Sequence, residues 1–179
     1  MSLALSRIIE LEWGKIEIDG VDISRISLHE LRSKITVIPQ DPTLFTGTLK
    51  FNLDPADREP DHRLIAILEE AGLFHLSLDT QISENGQNLS SGERQLICIC
   101  RAVLRDSKVV ILDEATSNID IVTEQKIQEM LSSHFKDSTM LVIAHRLNTI
   151  IHSDKVLVLS FGKVAEYDSP STLMQDKDS

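Results

Sequence analysis

KVVILDEATSNID, from Lys108 to Asp120, runs four branched apolar residues, Val109 to Leu112, straight into the adjacent carboxylates Asp113 and Glu114. A short continuous apolar run of this kind fits a strand covered on both faces, as parallel sheets require. In open α/β sheets ligands bind beyond the carboxyl ends of the strands, so two acids at such an end point toward a site. One can hold Mg²⁺ directly or through water, and the other can orient and deprotonate an attacking water. Read alone, the same pair is also explained by capping of the next helix or by solvent exposure.

Working outward, strand and helix patterns alternate. SLALSRIIEL puts Ala4, Leu5, Ile8 and Ile9 on one helical face, so a helix is expected almost from Met1. GKIEIDG alternates Ile16 and Ile18 with polar residues and closes on the turn Asp19-Gly20. SLHELRSKITVIPQDP predicts a short helix and then an apolar strand, Ile35 to Ile38, cut off by Pro39 and Pro42. A helical pattern covers Glu59 to Leu78, and another runs from Ser91-Gly92 to Arg105. After the Val109 strand come a helix (Ile121 to Phe135), a strand (Met140 to Ile143), a short helix from Leu147 and the strand KVLVLS. The alternation predicts an α/β fold with a mainly parallel sheet. The stretch Thr43 to Arg105 has no evident strand and reads as a helical insertion, which divides the domain into a core, 1–42 and 106–179, and a helical subdomain, 43–105.

Composition narrows the classes of function. The 179 residues carry a formal net charge of -10, which argues against a nucleic-acid surface, because phosphate backbones attract clustered Lys and Arg. Hydrophobic residues at 41% and charged residues at 26% fit a globular domain. The apolar runs fall short of the roughly 20 residues of a membrane helix. The N-terminus lacks the features of a signal peptide. Cys98 and Cys100, at i and i+2 of a helix, point in different directions and read as small buried hydrophobes in a reducing compartment.

Three other segments end where a ligand would sit. QNLSSGERQLICICRA sets Ser90, Ser91 and Gly92 just before a helix, where backbone N–H groups and the helix dipole favour an anion such as phosphate, although an ordinary N-cap has the same look. MLVIAHRL ends a strand with His145, suited to a phosphate or a catalytic water. ITVIPQDP ends another with Gln40, whose carboxamide oxygen suits a hard cation.

In order and spacing, Gln40, Leu89-Ser90-Ser91-Gly92-Glu93, Asp113-Glu114, Asn118-Ile119-Asp120 and His145 resemble the Q-loop, signature, Walker B with its catalytic glutamate, D-loop and switch histidine of the ATP-binding cassette ATPases. The resemblance covers essentially the whole chain. QDPTLFTGTLKFNLDP is similar to the exporter form of the segment after the Q-loop, and ENGQNLSSGERQLICICRAVLR resembles the second cassette of subfamily C, the multidrug resistance-associated transporters. Two motifs depart from the family pattern: LSSGE replaces LSGGQ, and SNID replaces SALD.

The resemblance implies a P-loop NTPase-like core and ATP with Mg²⁺ as cofactors. It implies that Glu114 polarises the attacking water, that Asp113 and Gln40 serve the metal, and that His145 contacts the γ-phosphate. Ser90, Ser91, Gly92, Glu93 and Asp120 would face the ATP held by a second cassette in a head-to-tail dimer. The implied setting is the cytoplasmic face of a membrane, docked on the transmembrane domains of an exporter, with no nucleic-acid partner.

One motif is missing. A P-loop, G-x-x-x-x-G-K-[ST], cradles phosphates with backbone amides while its Lys neutralises them. The two GK pairs, Gly14-Lys15 and Gly162-Lys163, have Ile9 and Leu157 in place of the first Gly, and Ile16 and Val164 in place of Ser or Thr. The opening segment resembles what directly follows the P-loop in the family, so the expectation is a cassette truncated there, with doubtful ATPase activity on its own. A non-catalytic fragment that pairs with an intact cassette is the alternative. A chromosome-maintenance ATPase is disfavoured, because no sustained heptads separate Gln40 from the signature.

Overall fold

The computed structural model describes residues 1–114, 119–144 and 150–175. The chain divides into two compact units, Met1–Leu141 and Val142–Ser179.

In the first unit, the Asp19-Gly20 turn does what its residues allow. Both have positive φ, 50° and 77°, as a two-residue hairpin loop of the type I′ family demands. It joins β1 (Glu17–Ile18) to β2 (Val21–Asp22) with Ile18 opposite Val21. Helix α1 is Ser2–Leu5 alone. The helical face expected to continue through Ile8 and Ile9 is broken at Arg7, which has φ 49°. The Arg7 guanidinium donates to the carbonyls of Ile23 and Ile26, both at 3.0 Å, while Ile8 and Ile9 stay exposed. Helix α2 (Leu28–Lys34) is capped by Ser27, whose hydroxyl accepts from the Glu30 amide, and runs directly into β3 (Ile35–Ile38).

β3 pairs in parallel with β6 (Val109–Asp113), from Ile35 opposite Val109 to Ile38 opposite Leu112, and β7 (Thr139–Ile143) flanks β6 on its other side. Ile35 and Ile111 pack with Ile23 and Leu31 in one core cluster that Leu5, Ile16, Ile18 and Leu141 close over. A buried hydroxyl pair, Thr36 to Ser107 at 2.7 Å, ties β3 to the approach of β6 and satisfies both polar groups.

Between β3 and β6 lie α3 (Leu49–Leu53), α4 (Asp61–Glu70) and α5 (Ser91–Arg105). α4 stops short of the expected Leu78 because Gly72, at φ 77°, accepts the left-handed position after the cap. The Leu73 amide then bonds the Leu68 carbonyl at 2.9 Å in a Schellman closure over two buried leucines. The stretch also contains strands that periodicity did not reveal: β4 (Gly47–Thr48) pairs antiparallel with β5 (Gln81–Ile82). Two residues each are too few to carry an alternating pattern.

Six consecutive residues of α5, Gln95 to Cys100, are buried. The helix packs against α3, α4, β3 and α6 (Ile121–His134), so it has little outer face.

In the second unit, β8 (Val156–Ser160) turns back into β9 (Lys163–Asp168), which the sequence reading missed, and α7 (Pro170–Leu173) follows. The turn is Phe161-Gly162, both with positive φ. Gly162-Lys163 therefore opens a strand, as does Gly14-Lys15, where Lys15 pairs with Glu17 at 2.8 Å. Neither pair opens a helix, as a phosphate-cradling loop must.

Candidate active site

The parallel register decides what meets what. With Ile38 opposite Leu112 as the last pair, Pro39-Gln40 and Asp113-Glu114 leave the same carboxyl edge of adjacent strands. Pro39 ends β3, having no N–H to donate to a ladder. Asp113 and Glu114 are half-buried and Gln40 is exposed. Glu114 holds φ 47°, a left-handed conformation that costs a residue with a Cβ of order 1–3 kcal/mol. Strain of this kind concentrates at functional sites, where surrounding structure over-determines it.

The second cluster forms at the N-terminus of α5. Ser90 is the N-cap: its hydroxyl accepts from the Glu93 amide at 3.2 Å, and the Ser90 amide donates to Glu93 Oε2 at 2.7 Å. This capping box occupies the amides of Ser90 and Glu93. Those of Ser91 and Gly92, in the first two helical positions, have no acceptor within the helix. The other carboxylate oxygen of Glu93 lies 2.6 Å from His75 Nε2. Burial pushes the Glu93 carboxyl up, but hydrogen bonds from Ser90 and His75 outweigh it and hold the group below the usual carboxylate range.

Asp120 caps α6, with Oδ1 accepting from the Thr123 amide at 3.0 Å, and that backbone hydrogen bond above all lowers its pKa. Thr123 packs on Gly92. The structure thus brings Asp120 to the Ser90–Glu93 cluster through Thr123. It joins the two clusters through the buried Gln95, whose Nε2 donates to the Pro39 carbonyl at 3.2 Å. His145 and Asn118 lie outside the described residues.

Three residues at these clusters were missed by sequence reasoning. Gln95 had a signal: an amide within a run as apolar as LICIC is costly unless it is bonded. His75 and Thr123 had none, because their partners lie 18 and 31 residues away with no periodicity to announce them.

The parallel pair β3 and β6, with Asp113 ending β6 and a serine-capped helix inserted between the strands, has the architecture of the P-loop NTPase fold. The family model described as ABC transporter matches residues 2–117, and the chain belongs to that family. ABC transporter C family member 13 of Oryza sativa subsp. indica is 50% identical over 182 residues, covering 98% of this chain and 12% of the relative. ATP-binding cassette sub-family C member 3 of Rattus norvegicus is 51% identical over 183 residues, covering 97% of this chain and 12% of the relative. Among solved structures, a bacterial Atm1-family ABC exporter with ATP bound matches with a TM-score of 0.91 at 33% identity, over 99% of this chain and 32% of that one. The chain thus spans about 12% of the length of the curated relatives it matches. No helix among the described residues is long and apolar enough to cross a membrane.

Proposed function

We propose that the chain is the larger part of a second ATPase cassette of a subfamily C exporter, with 43–105 as its helical subdomain. It would work at the cytoplasmic face of a membrane, coupling ATP binding and hydrolysis to transport by transmembrane domains. The observation that carries this reading is the shared carboxyl edge of β3 and β6, where Gln40, Asp113 and Glu114 emerge together.

Glu114 is assigned to orient and polarise the water attacking the γ-phosphate. Asp113 and Gln40 would hold Mg²⁺. Their oxygen donors suit that hard ion, which takes one or two carboxylates and completes its shell with water and substrate phosphates. Among the described residues no group of three or more His, Cys, Asp and Glu could hold a metal ion. His145 is assigned to the γ-phosphate. Ser90, Ser91, Gly92, Glu93 and Asp120 form the surface offered to the ATP of an opposing cassette in a head-to-tail dimer. The amides of Ser91 and Gly92, which have no acceptor within the helix, support that assignment.

The test joins to this chain a segment carrying G-x-x-x-x-G-K-[ST] from a subfamily C second cassette. Without that segment Mg-ATP binding is expected to be weak, since the phosphate cradle supplies most contacts to the phosphates. With it, phosphate release should appear. Glu114→Gln should then lower turnover by at least about 100-fold while ATP binding persists. Asp113→Asn should instead weaken the magnesium dependence. Near-normal turnover in Glu114→Gln, or loss of ATP binding with it, would remove Glu114 from the catalytic role.

A further inference from the structure

Glu93 poses an electrostatic problem at the end of α5. A carboxylate at a helix N-terminus suits the dipole, but an incoming phosphate would meet a like charge beside the amides it needs. The structure answers by taking both oxygens out of the way. Oε2 accepts from the Ser90 amide at 2.7 Å, and Oε1 faces His75 Nε2 at 2.6 Å. An ionised carboxylate only accepts, so Nε2 carries the proton in this pair. His75 belongs to the segment after α4, not to the signature itself, and is exposed, so the contact is made for Glu93 and is no part of the core.

We propose that His75 is a positioning residue for the signature helix: it holds the Glu93 carboxylate back against Ser90, leaving the Ser90 hydroxyl proton and the Ser91 and Gly92 amides to face the γ-phosphate of a partner's ATP. The proposal rests on the reading of this surface as the contact to an opposing cassette's nucleotide. It also accounts for an acid at this position. Glu93 is tolerable there because the His75 contact restrains it.

The test labels the full chain with a fluorophore and titrates it with an intact subfamily C cassette loaded with Mg-ATP, made hydrolysis-deficient so that ATP persists. His75→Ala should weaken association about three- to tenfold, the range for one partly exposed charge-assisted hydrogen bond. His75→Gln, which keeps a donor at similar reach, should recover most of the loss. Glu93→Gln removes the charge that His75 restrains, so adding His75→Ala to it should cost nothing further. Thermal melts of all variants check that the fold is kept, as the exposure of His75 leads one to expect. Equal affinity of His75→Ala and parent, or an equal loss in the Glu93→Gln background, overturns the role of His75 while leaving the surface assignment standing. Failure of the parent itself to bind the ATP-loaded cassette overturns the surface assignment and the proposal with it.

Discussion

Thr123 stands where a side chain on Gly92 would have to go. A Cβ built on Gly92 would lie 3.0 Å from Thr123 Cγ2 and 3.2 Å from its Oγ1. Gly92 thus lets the first turn of α6 close on the first turn of α5, apart from anything it does for a nucleotide, and a side chain there would have to push Thr123 aside by a few tenths of an ångström. Gly92→Ala should destabilise the chain by about 1–3 kcal/mol through overpacking. Thr123→Ala in the same chain should return most of that loss. Urea denaturation of the two single variants and the double variant gives the coupling, and additive losses would show that the two residues do not compete for space.

Among the described residues β7 has β6 on one side and no strand on the other, and β8 pairs only with β9. Open edges of half-buried apolar strands recruit other chains. Self-association that grows with concentration is expected in light scattering of the isolated chain. Val142→Lys, placing a charge on β7, should suppress it. A parent chain that stays monomeric at the highest concentration reached would contradict this account.

Glu93 also sets an acid limb. Its carboxyl is depressed in the folded chain relative to its ordinary value of 4.5, so it contributes stability above that value and loses it as pH falls through the lower folded value. Glu93→Gln should flatten this part of the stability-versus-pH curve and leave the neutral region nearly parallel to the parent. An unchanged acid limb would mean that the capping box does not hold the carboxylate in solution.

Cys98 and Cys100 are free and buried, and burial above all pushes the Cys100 thiol up to about 12. Only the thiolate reacts readily, so iodoacetamide at neutral pH should spare Cys100 in the folded chain and label it in denaturant. Rapid labelling under native conditions would show that α5 opens locally.

The order of the main elements was legible because each long segment declared one period. The Val109 strand ran unbroken, the α5 pattern began at a serine cap, and Asp19-Gly20 marked a hairpin. The placement of the candidate site residues was legible too, since acids and an amide following apolar runs fall where parallel strands end. What escaped depended on geometry between distant residues. Nothing near Arg7 announces that its guanidinium will cap carbonyls 16 and 19 residues later and end α1 early. β9 was hidden because its glycine was weighed only as part of a phosphate loop. His75 and Thr123 matter through single contacts, which leave no trace in a hydrophobic pattern.

The six buried residues in a row on α5 determine how this chain would fail in a cell. Any enlargement or charge placed between Gln95 and Cys100 has no solvent-facing side to escape to, so its first effect falls on the folded population. A loss of 1–2 kcal/mol there is about what separates a protein that accumulates from one that quality control removes several-fold faster. Inherited changes in this helix would therefore register as a shortage of folded protein, while changes at Glu114, in the role proposed for it above, would leave the amount of protein normal.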